Sequence, residues 1–212
     1  MENPVIIFSA KGLGKVALDI FQSNDVVVYC FLDDDTKLHN TEINGVSVLG
    51  STEDENFLKL LGPKCEAFIA TDDNKLKASI VETLTEEKKI MPVNAFHKNI
   101  SIAPSAFIGH GNMFNAGVVV NSNAKINNYC IIGANSVIDY DAELSDMVQV
   151  GAGSVIGSNV KVGKGAFIGS GVTIVAGINI GKNARIGAGS VVVTEVKEGE
   201  TVFGNPAQKA KL

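Results

Sequence analysis

Cysteine, histidine and basic charge are all scarce in this 212-residue chain, and each shortage removes a class of function. The three cysteines, Cys30, Cys65 and Cys130, are odd in number and show no CxxC spacing, which argues against a disulfide framework or a zinc cluster and for a reducing compartment. His39, His97 and His110 are too scattered for a multi-histidine metal site, so no metal is expected. Eighteen Lys and Arg against 23 Asp and Glu leave a formal net charge of −5, without the basic excess that nucleic acid demands. Long apolar runs are missing as well. Met1 to Pro4 carries no basic run, Val5 to Phe8 is too short for a signal segment, and nothing approaches transmembrane length. The expectation is a cytoplasmic chain with neither nucleic acid nor membrane as partner.

What is abundant is a six-residue period. From Ile102 through Phe114, Ile126, Ile138, Val150, Val162, Ile174 and Ile186 to Val192, every sixth residue is apolar, sixteen positions without a break. Neither a 3.6-residue nor a two-residue period keeps one face buried over that length, whereas a parallel β-helix turns one side chain of each short strand inward. The residue after the buried position is mostly Gly or Asn, as at Gly109, Asn127, Gly157 and Gly163, which reads as a corner needing φ > 0. Two residues before it the side chain is usually small, as at Ala124, Cys130, Ser154 and Ala184, because a larger one would jam a triangular interior. The pattern resembles the hexapeptide repeat of left-handed β-helix acyltransferases, in which three hexads make a coil; sixteen hexads then imply about five coils.

The chain before the hexads reads differently. Val5 to Phe8 and Val26 to Leu32 are β-branched apolar runs, and Lys15 to Phe21 between them places Val16, Ala17, Ile20 and Phe21 on one helical face. A helix near Thr52 to Leu61, a strand at Ala67 to Ala70, a helix carrying Leu76, Ile80 and Leu84, and a last strand at Met91 to Val93 complete the expectation. The predicted fold class is an α/β Rossmann-like domain over residues 1–94 and an all-β parallel β-helix with a C-terminal tail over 95–212, Phe96 already standing in hexad phase. In the turn Ser9-Ala10-Lys11-Gly12-Leu13-Gly14-Lys15, glycines ahead of a helix suit either phosphate approach to backbone N–H groups or merely a tight turn; it is neither a full GxGxxG nor a Walker A loop. Asp33-Asp34-Asp35 at the second strand's end suits either a ribose or base contact or a solvated loop.

Taken together, the short Rossmann-like domain, Phe31-Leu32-Asp33-Asp34, Ala70-Thr71-Asp72-Asp73-Asn74, the hexads and Gly204-Asn205-Pro206-Ala207 resemble the bacterial sugar O-/N-acyltransferases. That family includes sialic acid O-acetyltransferases and nucleotide-activated 4-amino-sugar N-acetyltransferases. The resemblance implies a homotrimer with active sites between adjacent β-helices, acetyl-CoA lying along the coils, and a nucleotide sugar held by the N-terminal domain. It assigns sugar-nucleotide contact to Ser9, Gly12, Gly14, Lys15, Asp33, Asp34 and Asn74. Ser9 replaces the family's first glycine and Leu13 its usual histidine. At the family's His-Asp/Glu pair this chain has Tyr140-Asp141; the Asn seven residues earlier is Gly133, and the second His nine later is Gln149. With eighteen residues per coil, Gly151, Gly169 and Gly187 form one column and Gly153, Gly171 and Gly189 another, against which a pantetheine arm can lie, although the fold itself also needs glycine corners. Lys182 and Arg185 are candidates for the coenzyme phosphates.

A phenol has a reference pKa of about 10, against about 6.5 for imidazole, so Tyr140 is a poor base at neutral pH and is expected to orient the acceptor, with Asp141 as its partner. An amine needs less activation than an alcohol. Acetyl-CoA-dependent N-acetylation of a nucleotide-linked amino sugar for surface glycan synthesis is therefore the leading expectation. Sugar O-acetylation and a catalytically silent trimer that binds nucleotide sugar or coenzyme are the alternatives. Exposed Val118 and Val119 are expected to pack between subunits.

Overall fold

A computed structural model describes residues 3–210, which divide into two compact units, one ending at Lys98 and the other beginning at Asn99. The division falls four residues beyond the boundary expected from sequence.

The first unit is a five-stranded sheet with helices on both faces. Its elements run β1 (Val5–Phe8), α1 (Gly12–Ser23), β2 (Val28–Leu32), β3 (Glu42–Ile43), β4 (Val46–Gly50), α2 (Glu55–Leu58), β5 (Glu66–Ile69) and α3 (Asn74–Glu82). Sheet order is β3-β4-β2-β1-β5, all parallel except the β3–β4 hairpin. Inward side chains alternate between faces, as a pleated strand requires. Ile6, Phe8, Cys30, Leu32, Ala67 and Ile69 pack with Leu58, Ile80 and Leu84 on one side. On the other, Phe68 meets Phe21 of α1 edge-to-face at 5.3 Å between ring centroids. The three cysteines are buried thiols outside any disulfide, and desolvation pushes Cys30 up to about 12. Two local expectations are corrected and one element is added. The helix near Thr52 shrinks to one turn, Glu55–Leu58, started by the Asp54 carboxylate accepting from Asn56 N. The β3–β4 hairpin was not foreseen. Met91 to Val93 is not a strand, because its only ladder-like bond is Val93 N to Ala67 O.

The second unit is the β-helix. Two-residue strands from Ser101–Ile102 to Val191–Val192 recur every six residues and pair in parallel with the strand eighteen residues on, as in Val119↔Val137↔Val155. From Phe114 to Val192 every hexad position is buried. Ile102 and Ile108, in the first coil, are only half-buried. The small position two residues earlier is buried from Asn112 to Val172 and again at Ala184 and Ser190, and Ser136 and Ser154 there donate to the next coil: Ser154 Oγ to Gly169 O at 2.9 Å. Val118 occupies this same position and is fully buried, so it is core and offers nothing to a neighbouring subunit; only Val119 of that pair reaches the surface.

The glycines after the buried residue serve a purpose other than the expected one. Left-handed φ values occur two residues further on, at Asn123, Asn135, Asp141, Gly153, Gly171, Asn183 and Gly189. At Gly133, Gly151 and Gly169 the constraint is the coil above. A Cβ would stand 2.5 Å from Ala152 N at Gly133 and 2.6 Å from Ala188 N at Gly169. Gly169→Ala is expected to cost about 1–3 kcal/mol through this backbone contact. Gly153→Asn, at φ +69° in open space, changes stability by no more than about 0.5 kcal/mol, as Asn accepts that conformation. Urea denaturation of both variants checks the pair; equal midpoints would contradict the stacking explanation.

Candidate functional site

In the first unit the candidate site lies where the sheet order reverses. Chain segments leave β1 toward β2 on one side and reach β5 on the other, so the loops after these strands diverge and leave a crevice at their carboxyl ends. The crevice encloses about 540 Å³ and is lined by Ser9, Lys11, Gly12 and Leu13 after β1, Asp33 to Asp35 after β2, Thr52 after β4, and Ala70 to Asp72 after β5. Leu76 and Ile80 of α3 supply an apolar wall. No side chain caps the start of α1. Its first N–H groups and the positive end of the helix dipole therefore face the crevice, a suitable arrangement for an anion. Ser9 holds φ +85°, the glycine-like conformation its family counterpart would adopt without strain.

Electrostatics divide the three aspartates by role. Asp33 is buried, accepting from Ala10 N at 2.8 Å through one oxygen and from Asp35 N at 2.9 Å through the other. It braces the turn after β1 against the turn after β2. Asp34 accepts from Thr52 N and Oγ1, both at 2.9 Å. Asp35 pairs with Lys11 Nζ at 3.1 Å, which holds its carboxyl below the usual range and raises the Lys11 ammonium. Lys11 is the only cation among the lining residues, and sequence reasoning overlooked it in favour of Lys15, which is exposed and outside the lining. Gly14 is also outside it: a Cβ there would collide with Ser9 O, so this glycine closes the turn. Asn74 begins α3 beyond the lining, while its neighbour Asp73 caps that helix through Lys75 N and Leu76 N. Thr71 and Asp72 line the crevice from the loop in which the resemblance assigned contact only to Asn74, and Thr52 lines it without belonging to any motif.

In the second unit the remaining candidates separate onto two edges of the coil stack. Gly133, Gly151, Gly169 and Gly187, with Gly153, Gly171 and Gly189, line the edge that follows the Gln149–Val150 strand, and Gln149 stands half-buried just before it. On the same face Arg185 lies over the Phe167 ring, 4.7 Å from its centroid. Tyr140 and Asp141 occupy the next edge, between Val137–Ile138 and Glu143–Leu144. Six extended residues separate these edges by up to about 20 Å. Tyr140 is 49% exposed. Asp139 Oδ1 fixes its turn by accepting from Tyr140 N and Asn121 Nδ2, both at 2.9 Å. The expected Tyr140–Asp141 side-chain hydrogen bond is not formed; Asp141, at φ +56°, turns toward the opposite flank of the corner. Among the described residues no cluster of three or more His, Cys, Asp or Glu side chains is placed to hold a metal, and no helix is long and apolar enough to cross a membrane.

The bracing role of Asp33 has a measurable consequence. Asp33→Asn presents an amide N–H to one of two buried backbone donors and is expected to cost about 1–3 kcal/mol, read from the urea midpoint. Asp34→Asn keeps an acceptor for Thr52 and falls below about 1 kcal/mol. Equal losses would contradict this division of roles.

Residues 4–84 match the PglD N-terminal domain, and 105–139, 141–176 and 159–194 match the bacterial transferase hexapeptide (six repeats). No curated protein matches the sequence. Among solved structures, a point variant of GDP-perosamine N-acetyltransferase from Caulobacter crescentus, in complex with CoA and GDP-perosamine, is 28% identical, with all of this chain and 99% of that one aligned at a TM-score of 0.90. The acetyltransferase domain of PglB from Neisseria gonorrhoeae, in complex with acetyl coenzyme A, is 26% identical over 99% of this chain and 100% of its own, with a TM-score of 0.90. WeeI from Acinetobacter baumannii is 26% identical over 98% and 99%, with a TM-score of 0.87. A PglD-type α/β domain followed by a left-handed hexapeptide β-helix, aligned end to end with these acetyltransferases, makes the chain similar over its whole length to bacterial sugar N-acetyltransferases.

Proposed function

We propose that the protein is an acetyl-CoA-dependent N-acetyltransferase acting on a nucleotide-linked amino sugar for surface glycan synthesis. The observation that carries this reading is the end-to-end similarity to an enzyme solved with CoA and a nucleotide amino sugar together. The crevice in the first unit adds physical support. The start of α1 and Lys11 suit the diphosphate, with Lys11 exchanging Asp35 for phosphate oxygens, and the pocket is within the usual size range for small ligands.

The amine of the acceptor, once its ammonium has lost a proton to water, attacks the thioester carbonyl. The N–C bond forms, the C–S bond breaks, and coenzyme A leaves as the thiol. Positioning and backbone N–H groups that polarise the carbonyl supply the catalysis, which suits a corner carrying Tyr140 in place of a histidine base. An alcohol acceptor needs a base that Tyr140-Asp141 does not offer, which disfavours O-acetylation. The glycine edge and the Tyr140 edge of one chain lie a full prism side apart. Acetyl-CoA against the glycines of one copy therefore meets Tyr140 of another, and a homotrimer with three shared sites is the assembly this requires. Valines at 119, 137, 155 and 191, interrupted by Thr173, form a largely apolar strip between those two edges that subunit contact would cover.

Thiol release from acetyl-CoA, followed with a panel of nucleotide-linked 4-amino sugars and their 4-hydroxy counterparts, tests the reaction. Amino acceptors are expected to react, at a rate rising with pH as the amine deprotonates. Tyr140→Phe should lower kcat by about tenfold to a hundredfold, the loss of one transition-state hydrogen bond. No thiol release with any amino sugar, alongside intact binding, would leave the silent trimer in its place.

A further inference from the structure

On the outer surface of the β-helix a groove of about 340 Å³ crosses three coils and ends at Asp141. Two ladders form it. Ser105, Asn123 and Asp141 stack along the edge, and Phe107, Lys125 and Glu143 stack on the adjoining strands, each residue eighteen on from the last. Phe107 is 56% exposed, an aromatic face left in solvent at the end of the groove away from Asp141. Lys125 Nζ lies 3.0 Å from Glu143 Oε1, and this bond holds the Glu143 carboxyl below its ordinary range. Ser105 Oγ accepts from Asn123 N. Among the described residues, the Asn123 amide and the Asp141 carboxylate have no such partner, and both are open to a ligand.

An exposed ring beside a ladder of amide, hydroxyl, ammonium and carboxylate groups is amphipathic in the way a pyranose is. One face of the sugar is C–H and packs on an aromatic ring, while its rim carries hydroxyls. Phe107 and Asp141 are two coils apart, about 9.5 Å at the usual strand spacing, which spans one hexose with its substituents and not a nucleotide. The geometry points to this groove as the seat of the acceptor's sugar ring: Phe107 stacks on it, Lys125 and Glu143 select its hydroxyl pattern, and Asp141 receives its ammonium at the corner that also carries Tyr140. The assignment deepens the acetyl-transfer reading and rests on it for the identity of the sugar as an amine. It makes Phe107, Lys125 and Glu143 specificity-determining residues.

The test titrates the isotope-labelled full chain with the methyl glycoside of a 4-amino sugar and follows backbone amide shifts by NMR, with thiol release measured separately on the nucleotide-linked sugars. Shifts are expected at Phe107, Asn123, Lys125, Asp141 and Glu143, and Phe107→Ala should weaken glycoside binding about fivefold to tenfold, the share of one stacking contact. Bare nucleoside diphosphate should bind this variant as it binds the wild type. Shifts confined to other residues, no shifts at millimolar glycoside, or undiminished affinity in Phe107→Ala would overturn the assignment. Glycoside shifts in the groove without thiol release would keep it a sugar site while removing acetyl transfer; thiol release with undiminished affinity in Phe107→Ala would do the reverse.

Discussion

The chemistry of the β-helix depends on one hydrogen-bond ladder, in which the N–H groups of each coil donate to carbonyls of the next. Gly133 N to Val150 O, Gly151 N to Ile168 O and Gly169 N to Ile186 O, at 2.7, 2.7 and 2.9 Å, are three of its rungs. Because pairing fixes an offset of eighteen residues, a side chain's surroundings are set by its place in the coil, and like positions accumulate in columns. Glycines gather on one edge, valines on the face beside it, and the Phe107–Lys125–Glu143 ladder on the next. The same ladder demands glycine where coils approach most closely. A column of glycines beside a ligand groove is therefore first a packing requirement, and its usefulness to a coenzyme follows from the bare backbone that packing leaves exposed.

The α/β unit obeys a different constraint. Its crevice exists because strand order reverses between β1 and β5, and its shape is held by carboxylates already committed to the protein. Asp33 is spent on two backbone donors and Asp34 on Thr52, so acidic residues that line a site can serve as its framework. Lys11, tied loosely to Asp35 and well exposed, is the charge free to change partner.

How much of this was legible in the sequence depended on what each signal encoded. The hexads encode interior volume, a property local enough to be read without a structure, and buried positions from Phe114 to Val192 follow it. The reason for Gly133 or Gly169 was not legible in the same way, since the clash it avoids involves a residue just over one coil further along the chain. Val118 misled because its interior position holds valine as readily as alanine or serine, as Val148, Val160 and Val172 also show. The β3–β4 hairpin was overlooked although Asn44-Gly45, at φ +47° and +81°, is a strong two-residue turn signal, because strands of two and five residues give little periodicity. In the crevice, Ser9 and Gly12 of the glycine turn and Asp33 and Asp34 after the second strand were legible, whereas Thr52, in no motif, and Asp72, in a quoted loop but given no role, were not. Their meeting is a consequence of topology. The separation of Tyr140 from Gly151 and its column is likewise invisible in their sequence spacing, and it has the largest functional consequence.

The central claim is that the active centre is completed by two copies of the chain, one supplying Tyr140 and Asp141 and the other the glycine edge. Subunit mixing addresses it directly. One preparation carries Tyr140→Phe with Asp141→Ala, the other Ala152→Trp, a bulky group at an exposed position of the glycine edge. Each alone is expected to release thiol from acetyl-CoA far more slowly than the wild type. Unfolded together and refolded as mixed oligomers, they should recover a substantial fraction of wild-type activity, because some interfaces then combine an intact Tyr140 edge with an intact glycine edge. Activity no greater than the mean of the two separate preparations, in oligomers shown to contain both chains, would contradict the account.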